Sequence, residues 1–282
     1  MKNRLSDLTQ VVVVSFNPDI KLLKKNLVAL ASQFTNILVV NNESGNVEYI
    51  KKLIASMHKK VELKCLAKNM GVAFAQNTGF DEARRKKLKW LLVMDQDSVI
   101  PSNLSKEYSQ LLNQYHNIGI LGWAYIPLKH NKELEENIII ISSGSLLNTQ
   151  ALARAGGFDN SLFIDHVDSD IQLKIKYLGF TTLATSKVKL YHRIGFKTGQ
   201  RTITGKYYNG HSSIRMYYIT RNGIVLCKRY LLKYPKWSLI FLRGTILELL
   251  YSFLNSDRKL ANLKIASRAI VDGTRGKLGK YA

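Results

Sequence analysis

The sequence predicts an α/β fold built on a mostly parallel β-sheet. Short runs rich in valine, isoleucine and leucine alternate four times with longer segments whose apolar residues recur at helical spacing. The strand-like runs do not alternate between polar and apolar residues, which is typical of strands covered on both faces. The chain has 282 residues and is 46% hydrophobic, enough to bury a substantial core. These observations favour a parallel sheet with helices on both faces.

Four strands and the helices between them follow in order along the first hundred residues. The predicted strands are VVVVSFN, NILVVNNESG, VELKCLA and KWLLVMDQDS. The predicted helices between them are PDIKLLKKNLVALASQ, VEYIKKLIASMHKK and GVAFAQNTGFDEARRKK. Later in the chain, SDIQLKIKYLG predicts an amphipathic helix and KVKLY predicts a strand.

Polar residues follow these strands at the points where the strands end. In open parallel sheets the carboxyl ends of the strands meet at one edge, and ligands bind in the crevice outside it. We therefore expect Asn17, Asn41 to Ser44, Asn69 and Asp95 to Ser98 to converge on one crevice.

Two aspartates, one residue apart, end the fourth predicted strand in the run LLVMDQDS. Side chains at positions i and i+2 project from the same side, so Asp95 and Asp97 can bind one divalent cation, directly or through water. Oxygen ligands suit Mg²⁺ or Mn²⁺, and a metal there could neutralise a diphosphate. The alternative is a solvated turn in which Asp97 caps the helix that begins near Pro101.

A second acidic cluster lies in the run FIDHVDSDI, which contains Asp165, Asp168 and Asp170. One interpretation is that Asp168, Ser169 and Asp170 cap the following helix and favour its positive end. However, one acid is enough for a cap. Three acids beside apolar residues such as Phe163 also suit a polar site whose walls raise the pKa of a carboxyl group.

The formal net charge is +22, and the basic residues concentrate toward the C-terminus. The last 99 residues contain 20 Lys and Arg against 3 Asp and Glu. They also interleave basic residues with Tyr217, Tyr218, Tyr230, Tyr234 and Trp237, a pattern that suits anionic headgroups at the membrane surface. The alternative is that these aromatic residues pack against the α/β domain and that only the charges are solvated.

The segment WSLIFLRGTILELLYSFL resembles a membrane helix more than any other part of the chain. Arg243 and Glu248 interrupt it, which favours an amphipathic, interfacial helix over a spanning one. The N-terminal residues lack the apolar core of a signal peptide, so we expect no export. Cys65 and Cys227 have no spacing that predicts a disulfide or a zinc site.

Six motifs, in order, resemble those of the inverting family 2 glycosyltransferases with the GT-A fold, particularly the bacterial rhamnosyltransferase branch. They are VVVVSFN, VVNNESG, NMGVAFAQNTG, WLLVMDQDS, SSGSLLNTQALARAGGFDNSLFIDHVDSDI and LYHRIG. The resemblance covers roughly residues 10 to 235, and the DQDS and FIDHVDSDI stretches are its most specific parts.

The resemblance implies a nucleotide-sugar donor and a divalent metal, Mg²⁺ or Mn²⁺. Asp95 and Asp97 match the DxD motif of the family, and the implied metal residues are Asp97, Asp95 and His192. At Asn41 the family usually has an aspartate. The implied nucleotide-sugar-binding residues are Phe16, Asn17, Asn41, Asn42, Asn69, Gly71, Asn77, Asp95 and Gln96.

The resemblance also implies the catalytic residues. Asp168 matches the catalytic base, which would take the proton of the acceptor hydroxyl. The residues implied to assist it or to contact the acceptor are Asp170, Asp165, Gly144 and Ser145. A single base acting on the face opposite the leaving group implies inversion at the anomeric carbon.

By resemblance, residues 1–205 form a GT-A catalytic domain, with a nucleotide-sugar half at about 10–100 and an acceptor half at about 101–205. Residues 206–282 form a helical, basic, membrane-associating extension. The implied reaction moves L-rhamnose from dTDP-rhamnose onto a lipid-linked or polysaccharide acceptor in the synthesis of bacterial O-antigen, capsule or cell-wall polysaccharide. We expect a cytoplasmic protein, peripheral on the inner face of the bacterial cell membrane.

Two other functions remain open at this point. The basic C-terminal region could bind nucleic acid, although the sequence has no helix-turn-helix, RNP or zinc signature, and we expect no nucleic-acid partner. A nucleotidyltransferase could use the same sheet and the same aspartates.

Overall fold

The structure is a computed structural model, and it confirms the α/β fold with a mostly parallel sheet. It describes residues 4–57, 61–128, 132–136, 138–191, 196–201, 207–210, 212–254 and 259–281. Contacts divide the chain into two compact units. The first unit comprises Met1–Asp159 and Val167–Arg193, and the second comprises Asn160–His166 and Ile194–Ala282. The boundary that the sequence suggests after residue 205 differs from this division at residues 160–166 and 194–205.

The first unit contains an eight-stranded sheet. Its strands are β1 (Thr9–Ser15), β2 (Asn36–Asn41), β3 (Val61–Cys65), β4 (Trp90–Asp95), β5 (Ile118–Trp123), β6 (Leu134–Glu136), β7 (Ser145–Asn148) and β8 (Thr181–Thr185). Their order in space is β3-β2-β1-β4-β7-β5-β8-β6. The pairs β3–β2, β2–β1, β1–β4 and β5–β8 are parallel, whereas β7 runs antiparallel between β4 and β5. The first four strands are therefore the predicted ones, and β7 joins them to the second half of the sheet.

Six helices flank this sheet. They are α1 (Ile20–Ala31), α2 (Val47–Ala55), α3 (Val72–Arg85), α4 (Leu104–Gln114), α5 (Thr149–Arg154) and α6 (Val167–Tyr177). The side chain of Asp19 begins α1 by accepting hydrogen bonds from the Lys21 and Leu22 amides, at 2.9 and 3.2 Å. The predicted strand KVKLY is wrong. That stretch has no regular structure apart from a single antiparallel bridge between Tyr191 and Val99.

Both faces of the central strands are covered, which explains their continuous apolar sequence. All seven residues of β1 are buried. Val11 and Val13 belong to a core cluster with Leu23 and Leu27 of α1. On the other face α3 approaches Val12 so closely that a Cβ atom on Gly79 would lie 2.3 Å from the Val12 Cβ. Glycine at position 79 therefore sets the distance between α3 and the sheet.

The second unit is helical. Its helices are α7 (Ser213–Tyr230), α8 (Pro235–Leu254) and α9 (Lys259–Arg275), and β9 (Phe196–Arg201) pairs antiparallel with β10 (Tyr207–Gly210). Arg221 and Asn222 are buried in α7. The Tyr217 hydroxyl donates a hydrogen bond to Asp272 at 2.7 Å, and burial together with this bond raises the pKa of Tyr217 to about 12. The interior of this unit is thus unusually polar.

The outer surface of α8 and α9 carries many apolar residues among its basic ones, and several polar residues of these helices are buried, the reverse of a typical helical domain. Ser238, Thr245, Ser252, Asn262 and Asp272 are buried. The exposed apolar residues of the two helices are Leu239, Ile240, Leu242, Ile246, Leu250, Phe253, Leu254, Leu260, Leu263, Ile270 and Val271. Within the described part of the chain, α8 is the one helix long and apolar enough to cross a membrane by length and composition, with 33% of the stretch buried.

Candidate active site

The candidate site begins where three neighbouring strands end together. Ser15 of β1 lies opposite Asn41 of β2, and Val14 of β1 lies opposite Asp95 of β4. The polar segments that follow these strands therefore leave the sheet at the same edge. This arrangement confirms the convergence that the sequence predicts for the segments after β1, β2 and β4.

A reciprocal pair of hydrogen bonds joins the segments after β1 and β4. The Phe16 amide donates to Gln96 Oε1 at 2.7 Å, and Gln96 Nε2 donates to the Phe16 carbonyl at 3.1 Å. The Phe16 side chain is 46% exposed, so its ring stays available to a flat ligand. Gln96 therefore fixes the backbone on which this ring is carried.

The segments after β1 and β2 are joined in the same way. The Asn17 amide donates to Ser44 Oγ at 2.9 Å, and the Gly45 amide donates to Asn17 Oδ1 at 2.8 Å. Asn17 has a φ of +46°, a conformation that asparagine tolerates better than most residues. Asn41 is buried, and its Oδ1 accepts from the Ser44 amide at 3.1 Å. The Asn41 side chain thus stabilises the turn at residues 41–44 that follows β2.

Asn42 and Asn69 connect β2 to the loop before α3. Asn42 Nδ2 donates to Asn69 Oδ1 at 3.0 Å, and Asn42 Oδ1 accepts from the Met70 amide at 2.9 Å. Asn69 Oδ1 also accepts from the Gly71 amide at 3.0 Å, and Gly71 has a φ of +87° that favours glycine. These bonds place the N-terminus of α3 next to the end of β2.

Asn77 holds another part of the first unit. Its Nδ2 donates to the Phe158 carbonyl at 2.8 Å, and its Oδ1 accepts from the Phe158 amide at 2.9 Å. The adjacent Gly157 lies so close that an added Cβ would come within 2.8 Å of Asn77 Oδ1. Asn77 therefore anchors the chain ahead of the acidic segment.

Asp95 is the last residue of β4 and Asp97 lies two residues beyond it, and both residues are half-buried. The backbone of Asp95 is fixed on both sides, because its amide donates to Ser143 Oγ at 3.1 Å and its carbonyl accepts from Asn26 Nδ2 at 2.7 Å. Sequence analysis missed Asn26 and Ser143. The sequence did contain a signal for Asn26, because it lies three residues after Leu23 and four before Leu30, on the predicted apolar face of α1, where the structure buries it fully.

These two carboxylates fit a hard cation that completes its coordination with other oxygen atoms. No group of three or more His, Cys, Asp and Glu residues that could hold a metal occurs among the residues that the structure describes, and His192 lies outside them. Mg²⁺ is commonly bound by one or two carboxylates together with substrate phosphates and water. The donor set therefore fits a metal shared with a diphosphate better than a closed protein site.

Asp168 lies in the first turn of α6 with its carboxylate half-buried. Its Oδ1 accepts from the Ser169 amide at 2.8 Å, and its Oδ2 accepts from the Ser142 amide at 3.3 Å. It lines a small cleft whose apolar walls include Ile140 and Phe158. The two amides and the helix N-terminus stabilise the charged carboxylate.

The other two aspartates of the segment lie in different surroundings. Asp170 is fully buried, and its Oδ2 lies 2.8 Å from Lys174 Nζ. Asp165 lies in the second unit, where Arg215 Nε and Nη2 donate to its Oδ1 at 3.2 and 3.1 Å. Of the three, Asp168 is the carboxylate that lines the cleft of the first unit.

Ser145 is the first residue of β7, and Gly144 directly precedes it. Gly144 has a φ of +85°, and an added Cβ would lie 2.6 Å from Leu190. The Tyr108 hydroxyl donates to the Gly144 carbonyl at 2.8 Å, and burial raises the pKa of Tyr108, so the hydroxyl stays protonated. Ser145 Oγ donates to the Ile141 carbonyl and also lines the cleft.

The chain matches one family and one near full-length relative. Residues 10–166 match the family model described as Glycosyl transferase family 2. The dTDP-rhamnosyl transferase RfbF of Shigella flexneri is 28% identical over 293 residues, and the match covers 95% of this chain and 96% of that protein.

Solved structures share the fold. TarS 1–349 of S. aureus, in complex with UDP-GlcNAc, gives a TM-score of 0.61 at 16% identity, over 95% of this chain and 80% of that one. The mannosyltransferase PcManGT of Pyrobaculum calidifontis, in complex with GDP-Man and Mn²⁺, gives a TM-score of 0.55 at 14% identity, over 96% and 81%. The fold is therefore the GT-A fold expected from the sequence.

We expect Gln96→Ala to weaken binding of dTDP about tenfold, because Phe16 loses both of its backbone hydrogen bonds to the side chain that follows β4. Gln33→Ala is the matched control. Gln33 also bridges two backbone groups, since it donates to the Pro101 carbonyl at 2.8 Å and accepts from the Ser105 amide at 3.0 Å. Thermal unfolding should show similar losses of stability in the two variants. Isothermal titration should show a reduced affinity for dTDP in Gln96→Ala alone. Equal affinities in the two variants would contradict this role.

Proposed function

The chain belongs to glycosyl transferase family 2 and is a glycosyltransferase, and we propose that it transfers L-rhamnose from dTDP-L-rhamnose with inversion. The match to a dTDP-rhamnosyl transferase over nearly the whole of both chains supports this donor. The acceptor that we propose is a lipid-linked or polysaccharide glycan of the bacterial cell surface.

One observation of the structure carries the mechanism. Asp168 is a partly accessible carboxylate, held by two backbone amides beside a cleft, whereas Asp170 is fully buried against Lys174. A general base must be ionised and must reach the proton that it takes. Asp168 meets both conditions, so we assign it as the base, with Asp170 as support for the start of α6.

The transfer is then a direct displacement. The acceptor hydroxyl gives its proton to Asp168, and its oxygen bonds to the anomeric carbon. The bond from that carbon to the diphosphate breaks on the opposite face, and its electron pair leaves with dTDP, which inverts the configuration. Phe16, Gln96 and the Asn42–Asn69 pair form the part of the edge that we assign to the nucleotide.

Asp97 and Asp95 are the described residues that would hold Mg²⁺ or Mn²⁺, and the resemblance adds His192. When bound, the metal would neutralise the charge that develops on the leaving diphosphate. The fixed backbone of Asp95 keeps these carboxylates at the end of β4, where β1 and β2 also end.

We further propose that the second unit binds the inner face of the bacterial cell membrane. The exposed aliphatic residues of α8 and α9 supply apolar surface, and Arg243, Lys264 and Arg268 are exposed on the same helices. The expectation that the aromatic residues supply this surface is wrong for Tyr217, Tyr218, Tyr230 and Trp237, because all four are buried. Their burial also removes the stacking surface that nucleic-acid binding would use.

The proposed donor can be tested with a panel of nucleotide sugars. We expect dTDP-L-rhamnose with Mn²⁺ to raise the melting temperature more than dTDP-glucose, UDP-GlcNAc or GDP-mannose, because a ligand that binds the folded state stabilises it. We also expect slow hydrolysis of dTDP-L-rhamnose, with water in place of the acceptor. Stronger protection and faster hydrolysis with another donor would contradict the assignment of rhamnose.

Asp168→Asn is the control for the chemistry in this assay. It preserves size and most hydrogen bonding but removes the proton acceptor, so hydrolysis should fall roughly 10²- to 10⁴-fold while protection by dTDP-L-rhamnose is kept. Loss of protection together with turnover would show that Asp168 holds the donor instead.

We expect Ile246→Glu/Leu250→Glu to reduce binding to vesicles of phosphatidylglycerol and phosphatidylcholine at least about tenfold, because two aliphatic side chains no longer enter the lipid. The matched control is Val28→Glu/Tyr49→Glu, which puts the same two charges in place of exposed side chains of α1 and α2 in the first unit. Co-sedimentation measures both. Unchanged vesicle binding by the double variant would refute the proposed membrane surface.

A further inference from the structure

The segment Asn160–His166 connects the two units in an unusual way. By its contacts it belongs to the second unit, although it lies in sequence between two parts of the first. It continues directly into Val167, the first residue of α6, and then into Asp168. The segment that directly precedes the helix carrying the proposed base is therefore held within the second unit.

This segment holds three residues in left-handed backbone conformations. Phe163, Asp165 and His166 have φ angles of +66°, +62° and +62°. Such conformations cost non-glycine residues on the order of 1 kcal/mol or more each, and they persist when the surroundings fix them. The segment thus needs contacts that stabilise it against relaxation.

Asn222 of α7 supplies the central contact. Its side chain is fully buried, and Nδ2 lies within hydrogen-bond distance of the carbonyl oxygens of Leu162, Ile164 and Asp165, at 3.0, 2.8 and 3.0 Å. The side-chain amide of Asn222 therefore contacts three backbone carbonyls of the segment that contains the left-handed residues.

Arg221 orients this amide. Its Nε donates to Asn222 Oδ1 at 2.9 Å, which turns Nδ2 toward the segment. Arg221 Nη2 donates to the Leu162 carbonyl at 3.0 Å, and Nη1 donates to the Gly279 carbonyl at 2.6 Å. The Gly279 amide in turn donates to the Ser161 carbonyl at 2.7 Å. The same segment is thus bonded from α7 and from the C-terminal end.

Two side chains of the segment also pack onto α7. The Phe163 ring stacks on Tyr218, with centroids 5.1 Å apart and planes 14° apart. Asp165 forms its ion pair with Arg215, whose side chain is 45% exposed. These contacts support the same conformation, and Arg215 lies at its accessible end.

We propose that Asn222, oriented by Arg221, is a positioning residue for glycosyl transfer. It holds Asn160–His166 in the strained conformation from which Asp168 enters α6, so the C-terminal helical unit contributes to catalysis through the covalent chain. The proposal rests on the function proposed for Asp168. Without Asn222 the left-handed residues relax, and the carboxylate loses the orientation needed for proton transfer.

A double-mutant cycle tests this. The assay is single-turnover hydrolysis of dTDP-L-rhamnose with Mn²⁺. The water proton goes to Asp168, the water oxygen bonds to the anomeric carbon, and the bond from that carbon to the diphosphate breaks, so that dTDP leaves with the electron pair. Asn222→Ala should lower the rate about 10- to 100-fold and leave the affinity for dTDP-L-rhamnose unchanged. In a protein that already carries Asp168→Asn, Asn222→Ala should not lower the rate further, because both substitutions act on the same proton transfer.

Asn262→Ala is the matched control. Asn262 is another buried asparagine of this unit, which donates to the Ser252 carbonyl at 3.1 Å and accepts from Ser213 Oγ at 2.8 Å. Its loss should lower the melting temperature as much as Asn222→Ala and leave the rate unchanged. Arg215→Gln removes a partly exposed contact and should lower the rate less, about 3- to 10-fold, in a folded protein.

The outcomes separate this proposal from the one on which it rests. Equal rates in Asn222→Ala and Asn262→Ala, or full additivity of Asn222→Ala with Asp168→Asn, would show a purely structural role and overturn the inference. A normal rate in Asp168→Asn alone would overturn the assignment of the base, and this inference with it. If Asn222→Ala does not fold, Arg215→Gln provides the test, and a normal rate of hydrolysis in that variant would contradict the positioning role.

Discussion

The parallel register of β1 with β2 and β4 is the constraint on which the site depends. Ser15 faces Asn41 and Val14 faces Asp95, so three strands release their polar segments at one edge. Side-chain bonds to backbone groups then fix these segments to one another, as in the Gln96–Phe16 pair. A slip of one residue in either pairing would break these bonds and turn the buried valines of β1 to the wrong face.

The sequence predicts much of this architecture because the signals are local. Continuous apolar runs identify the four central strands, and the acids after β4 follow directly from the run that precedes them. The antiparallel entry of β7 between β4 and β5 has no such signal, because it depends on pairings between residues far apart, such as Leu91 with Leu147. The predicted strand KVKLY fails for a similar reason, since Tyr191 is its one residue that forms a β-bridge, with Val99.

The same limit applies to individual site residues. That Asn77 bonds the backbone of Phe158, 81 residues away, is invisible in the motif that contains it. Asp168 and Asp170 are two residues apart, yet one lines a cleft and the other is buried against Lys174. The composition of the C-terminal region likewise predicts a membrane-binding surface, but it does not show which residues are exposed. Tyr217 and Tyr218 pack inside against Arg221, and Tyr230 and Trp237 are also buried, whereas many aliphatic residues of α8 and α9 remain exposed.

We propose that the edge formed by β1, β2 and β4 binds a nucleoside diphosphate through a cation held by Asp95 and Asp97. Calorimetric titration with dTDP, in Mn²⁺ and in EDTA, tests this most directly when wild type is compared with Asp97→Ala. We expect wild-type affinity for dTDP to be at least about tenfold higher with Mn²⁺, and we expect Asp97→Ala to lose this difference while keeping its melting temperature. The same dependence on Mn²⁺ in both proteins, or none in wild type, would contradict it.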